Sequence, residues 1–122
     1  MSPPKTASLA ELTDRLIAFR DARDWRQFHS LKNLILSVGL ESAELLELTQ
    51  WKDDAAVDKA AGDPAFRDRL AEECADVLLY LLLIAERAGF DLATAAADKI
   101  ETNDVKYPVE KSRGNARKYT DL

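Results

Sequence analysis

Histidine and cysteine each occur once in this chain, as His29 and Cys74. A lone cysteine closes no internal disulfide, and Cys74 lies mid-helix among aliphatic residues, so it is expected as a small core residue in a reducing, cytoplasmic setting. A lone histidine cannot supply the Glu-x-x-His motif that a di-iron bundle needs on two helices. Long apolar runs are missing too. The longest, Val77 to Ala85, has nine residues against the ~20 of a spanning helix, so no membrane partner is expected. Met1 to Ser8 hold two prolines and no apolar stretch, which does not read as a secretory leader. Nor is there an excess of positive charge: the net of −5 argues against binding a nucleic acid polymer, because polyanion binders present a basic face. Repeats, low-complexity blocks and β-hairpin signals are absent.

What is present is a 122-residue chain, 47% apolar, that suits one all-α domain with a real core. Residues 1–7 read as a flexible arm. Ser8-Leu9-Ala10-Glu11 has the form of a capping box and opens a helix with Leu9, Leu12, Leu16 and Phe19 at helical spacing. The pattern dissolves at Arg20 to Arg26, and Asp24-Trp25-Arg26-Gln27-Phe28-His29 then puts two aromatics and the histidine in a loop. Ser30 caps a second helix to about Trp51, with Leu31, Leu34, Ile35, Val38, Leu45 and Leu48 as its buried stripe. Gly39 in this helix leaves room either for close helix packing or for a ligand. Lys52 to Gly62 reads as a loop or a short exposed helix. Asp63-Pro64 starts a third helix, apolar almost all round in its second half and stopped by Ala88-Gly89, which is expected at the centre of the fold or at an oligomer interface. A fourth runs from the Asp91 cap to about Lys106, before Pro108, with Leu92, Ala95, Ala96 and Ile100 facing inward. Four helices covering residues 8–108 make a four-helix bundle, and residues 109–122 form a basic tail.

Two stretches stand out chemically. Glu41-x-x-Glu44 and Glu73-x-x-Asp76 each put two carboxylates on one helix face, within apolar stretches where acids are costly to bury. On facing helices the four would gather charge that only a cation relieves, whereas Glu11, Glu47 and Glu86 read as solvated acids. Oxygen ligands without paired His or Cys suit Mg²⁺, with Mn²⁺ as a substitute. Magnesium is commonly held by a few carboxylates together with substrate phosphates, so a phosphate-bearing substrate is expected. Trp25 and Trp51 can stack on a base, and His29 and Asn103 can read its polar edge. Lys99, Lys106, Lys111, Arg113 and Lys118 offer cations for the phosphates.

The sequence resembles the all-α nucleoside triphosphate pyrophosphohydrolases, the MazG-like group, from about Leu9 onward. The resemblance is carried by Phe19-Arg20-Asp21, Arg23 to His29, Asn33-Leu34, Glu41-x-x-Glu44, Gln50-Trp51-Lys52, Glu72-Glu73-x-x-Asp76-Val77-x-x-Tyr80, Lys99-x-x-x-Asn103, and Lys106-Tyr107-Pro108-Val109 through Ser112-Arg113-Gly114 to Lys118-Tyr119. The acidic motifs mark the superfamily, while the aromatic and C-terminal motifs resemble its dCTP-hydrolysing branch. The resemblance implies cleavage of a nucleoside triphosphate, such as dCTP, a modified dCTP or dUTP, between its α and β phosphates. By position it makes Glu41, Glu44, Glu73 and Asp76 the Mg²⁺ ligands and catalytic acids. Trp25, His29 and Trp51 would enclose the base, Tyr80 and Asn103 would touch sugar or base, and Lys99 and the Arg113/Lys118 tail would approach the phosphates, with Lys106 kept among the substrate-binding residues. It also implies a homodimer or homotetramer with sites at subunit interfaces. The rival reading is a non-catalytic helical interaction module.

Overall fold

The computed structural model describes residues 7–122, so the expected arm lies almost wholly outside the described residues. Every regular element among the described residues is helical. Helix α1 (Leu9–Ala22) begins at Ser8, whose hydroxyl oxygen accepts from the Glu11 backbone N–H at 3.1 Å. The Glu11 carboxylate accepts the Ser8 hydroxyl, so the return bond of the expected capping box goes to the side chain. Helix α2 (Leu31–Glu47) starts at Ser30, whose oxygen accepts from the Asn33 N–H. It ends four residues earlier than its apolar pattern suggests, because Leu48, Thr49 and Gln50 bond three residues back in a tightening turn. That turn ends at Trp51, in the left-handed region at φ 66°.

The stretch after Trp51 contains a short helix, α3 (Asp54–Ala60), capped by Asp53. Helix α4 (Pro64–Ala88) follows, with Asp63 as cap, proline in the first turn, and Gly89 at φ 83° closing the end. A residue with a Cβ would be strained at that angle, which is why glycine stops this helix. Helix α5 (Leu92–Lys106) is capped by Asp91, whose carboxylate accepts from the Thr94 N–H and hydroxyl. A one-turn helix, α6 (Val109–Ser112), and a 3-10 turn at Tyr119–Asp121 complete the chain.

The chain divides into two compact units, one ending at Gly89 and one spanning Phe90–Leu122. In the first, α4 packs against α2 and, less extensively, α1. Leu34, Leu48, Leu82, Leu83 and Ala85 are its fully buried apolar residues. Each buried leucine is worth roughly 1.5–3 kcal/mol. All the large apolar residues of α4 are at least half-buried, as suits a central helix.

Several sequence expectations are corrected here. Leu31 and Ile35 are exposed: α2 carries apolar residues around more than one face, and a single packed neighbour covers only one stripe. The exposed apolar surface therefore lies on α2, at Ile35, Leu36, Leu40 and Leu46, rather than on α4. Cys74 is exposed on α4. Glu86 is not a free surface acid, because it accepts from the Arg20 guanidinium at 3.0 Å. Gly39 meets no neighbour within 4 Å of where a Cβ would stand, so no close packing within the chain requires it.

In the second unit, Leu92 is half-buried but Ala95, Ala96 and Ile100 are exposed, Ile100 to 70%, so most of the inward stripe expected for α5 is exposed. An apolar stripe states what a helix can bury, not what is there to bury it. The basic tail has local order. The Tyr119 ring packs edge-on against Tyr107 at 6.0 Å, and the Lys106 ammonium sits 4.7 Å from its centroid.

Candidate active site

The i, i+3 spacing of Glu41 and Glu44 on α2, and of Glu73 and Asp76 on α4, turns both pairs toward the seam where these helices pack. One carboxylate oxygen from each of Glu41, Glu73 and Asp76 lies within 4.8 Å of the other two. Glu44 stands beside both glutamates, since its negative charge raises the pKa of each. Burial is the first cause of both shifts, and the neighbouring acids add to it. The Oε2 atoms of Glu41 and Glu73 are buried without a hydrogen-bond donor among the described residues. Carboxylates so placed lack their natural complement, and the donor set is all hard oxygen. A divalent cation of the Mg²⁺ or Mn²⁺ type fits it, supplying positive charge to acids that now only repel one another.

Next to this cluster lies a pocket of about 160 Å³ lined by Leu16, Trp25, His29, Asp76, Leu79, Tyr80 and Leu83. Asp76 belongs to both features. On α4, Asp76, Leu79, Tyr80 and Leu83 form one face at i, i+3, i+4 and i+7, continuing the face that begins with Glu73. Trp25 arrives by a turn that closes α1. The Trp25 N–H donates to the Arg20 carbonyl at 3.1 Å and the Asp24 N–H to that of Asp21 at 3.1 Å, a Schellman arrangement with Asp24 left-handed at φ 54°. Aspartate tolerates this region, and the Gln27 amide fixes it by donating to both the Asp24 carbonyl and its carboxylate at 3.0 Å. The Trp25 ring then meets Phe19 edge-on at 5.7 Å, while the Arg23 guanidinium covers Phe19 at 3.7 Å. The 3-10 turn Arg26–Phe28 carries the chain on to His29. Burial holds the His29 pKa below its ordinary value, and the Arg20 charge pushes the same way, so the ring is neutral near pH 7. Its Nδ1 is buried and has no partner.

The structure thus brings together Glu41, Glu44, Glu73 and Asp76, and beside them Trp25, His29 and Tyr80. It does not bring Trp51 to the pocket: the indole is 94% exposed. Lys99, Asn103, Lys106, Arg113 and Lys118 belong to the second unit, where all but the half-buried Lys106 are exposed. Leu16, Leu79 and Leu83 line the pocket without having been singled out as site residues from the sequence. The signal was helical spacing to Asp76 and Tyr80 for Leu79 and Leu83, and membership of the apolar stripe of α1 for Leu16, both of which are also the signal of ordinary core.

Residues 36–122, which include both acidic pairs, match the MazG-like family. The chain belongs to the MazG-like family. Among MazG-like relatives, dCTP pyrophosphatase 1 of Rattus norvegicus is 49% identical over 104 residues, covering 85% of this chain and 61% of the rat protein. The Homo sapiens protein of the same name is 42% identical over the same length, again with 85% and 61% covered. The match thus spans about three fifths of the length of these curated relatives. A crystallised pyrophosphatase from Archaeoglobus fulgidus superposes with a TM-score of 0.77 at 36% identity, covering 88% of this chain and 99% of that one. At that level of likeness the MazG-like fold is common to both chains.

Proposed function

We propose that this protein is a metal-dependent nucleoside triphosphate pyrophosphohydrolase, releasing pyrophosphate and leaving the monophosphate, with dCTP or a modified dCTP as substrate. The observation that carries this reading is the sharing of Asp76 between the acid cluster and the aromatic pocket. A ligand with a flat apolar end and a polyanionic end matches two such features side by side. The names of the rat and human relatives support the choice of dCTP. Pocket size agrees, because a cavity of about 150 Å³ is large enough for one six-membered ring, and the pocket here is about 160 Å³.

In this reading Glu41, Glu44, Glu73 and Asp76 hold Mg²⁺, or Mn²⁺ in its place. When bound, the cation supplies charge for the triphosphate and lowers the pKa of a water. The chain's own residues do the rest. Trp25 stacks on the base, Tyr80 borders base or sugar, and neutral His29 turns its unpartnered Nδ1 to the base edge. A cluster carboxylate close to the phosphates takes the proton of the attacking water. Trp51, Lys99, Asn103, Lys106, Arg113 and Lys118 are assigned to base, sugar and phosphates from their residue types and the family resemblance. The exposed apolar face of α2 supports a homo-oligomer, and enclosure of the base by Trp51 calls for a second copy. No described helix is long and apolar enough to cross a membrane, and a cytoplasmic setting is proposed from the single free thiol.

The deciding experiment is pyrophosphate release from a panel of deoxynucleoside triphosphates with Mg²⁺, Mn²⁺ or chelator. dCTP should lead the panel, and chelator should abolish release. Equal rates on purines would remove the base assignment, and no release from any triphosphate would leave a binding module.

A further inference from the structure

Among the described residues, side-chain hydrogen bonds join neighbours no more than five positions apart, with one exception: Arg20 to Glu86, 66 positions apart. Arg20 is also the one charged residue among them that is fully buried, at 4% exposure. Burying a guanidinium is unfavourable unless its donors are met, and here Nη1 reaches Glu86 at 3.0 Å while Nε reaches Asp21 at 2.9 Å. A surface arginine could have capped α1 at no such cost.

The placement of the pair gives it a use. Arg20 is the residue of α1 whose carbonyl accepts the Trp25 N–H, so its backbone holds the tryptophan while its side chain holds α4. Glu86 lies on α4 one turn beyond Leu83, the last pocket residue of that helix. Leu16 and Trp25, which bring the α1 side to the pocket, flank Arg20 in sequence. The ion pair therefore closes the frame of the pocket at the end away from the acids. It ties the end of α1 to α4 at the residue whose carbonyl holds the Trp25 N–H.

We propose that Arg20 and Glu86 are positioning residues for the aromatic pocket, setting the orientation of Trp25 and hence the affinity for the base without touching substrate or metal. This rests on the reading of that pocket as the base site. The test uses the full chain with Trp51→Phe, so that Trp25 is the only tryptophan, and compares Glu86→Gln, Arg20→Met and Arg20→Lys. Without nucleotide, Glu86→Gln and Arg20→Met should shift Trp25 emission to the red and make it several-fold more quenchable by acrylamide. With dCTP and Mg²⁺, in the same variants made with Trp51 retained, KM should rise roughly ten-fold while kcat stays within about two-fold, because a misplaced stacking surface weakens ground and transition states alike. Affinity for Mg²⁺ alone should be unchanged, and Arg20→Lys should recover part of both effects.

Unchanged quenching and unchanged KM in Glu86→Gln would overturn the proposal, whatever happens to Tm, and would leave the pair as a staple only. If Arg20→Met does not fold, the isosteric Glu86→Gln decides. Should no nucleotide be hydrolysed or alter Trp25 emission in the parent protein, the base-site reading fails. The nucleotide-free quenching still decides whether the pair seats Trp25.

Discussion

The acid cluster and the aromatic pocket share Asp76, yet they relate to the fold in opposite ways. In the cluster, two long capped helices force carboxylates together against their own repulsion and leave two buried oxygens unmatched. In the pocket, most contacts that shape the site also hold the chain: Phe19 against Trp25, the Trp25 N–H on Arg20, Gln27 on Asp24. One half of the site is borne by the fold, and the other half is part of it. Substitutions should therefore separate function from stability in the first and damage both in the second.

The largest effect is expected at the acids. Glu41→Gln, Glu73→Gln or Asp76→Asn should each lower metal-dependent turnover by at least ~100-fold, a loss typical of removing charge stabilisation at a reacting centre. At the same time the metal-free Tm should hold or rise, read by thermal scans with chelator. A fall in Tm with each variant would break the contrast. Next comes Trp25→Ala. Stacking is worth ~1–3 kcal/mol per base, so KM should rise about ten-fold or more with a smaller change in kcat, and Tm should fall as well. Full stability in Trp25→Ala would detach the pocket from the fold.

Ser8→Ala offers a control, since its oxygen caps α1 eight residues before Leu16, the first pocket residue of that helix. It should cost about 1 kcal/mol and a few degrees of Tm with kcat/KM intact below the transition. The smallest effect is on pH dependence. Glu41 and Glu73 have raised pKa values, so the folded metal-free protein binds their protons more tightly than the unfolded chain does. Stability should then fall as pH rises from the ordinary carboxylate range through the raised values, and the Glu41→Gln/Glu73→Gln double variant should lose this slope. Asp21 is lowered by its bond to Arg20, and Asp91 by Thr94. Their contribution is present above the ordinary carboxylate pKa and disappears only as pH falls through their depressed values, so denaturation midpoints across pH separate the two windows.

The two halves also differed in how far the sequence announced them. The acids were legible because spacing on a helix fixes direction, and because Ser30, Asp63 and Gly89 are residues whose chemistry marks helix ends. The turn that seats Trp25 was not. Its left-handed position is Asp24 rather than glycine, and its anchor Arg20 falls where the apolar pattern dissolves into charges. The partner of that anchor is 66 residues away, and no local rule links them. Cys74 and the apolar residues of α5 misled for a different reason: composition says which groups avoid water, but not whether the chain alone provides their cover.

Gly39 has a consequence for protein engineering. It is a position of local frustration, where helix propensity favours alanine by about 1 kcal/mol and, among the described residues beyond its own helix turn, no atom stands within 4 Å of the added methyl. Gly39→Ala is thus an inexpensive way to stiffen α2 in the isolated chain, two residues before the first acid of the cluster. Any activity it removes would measure how near another body must come to that helix.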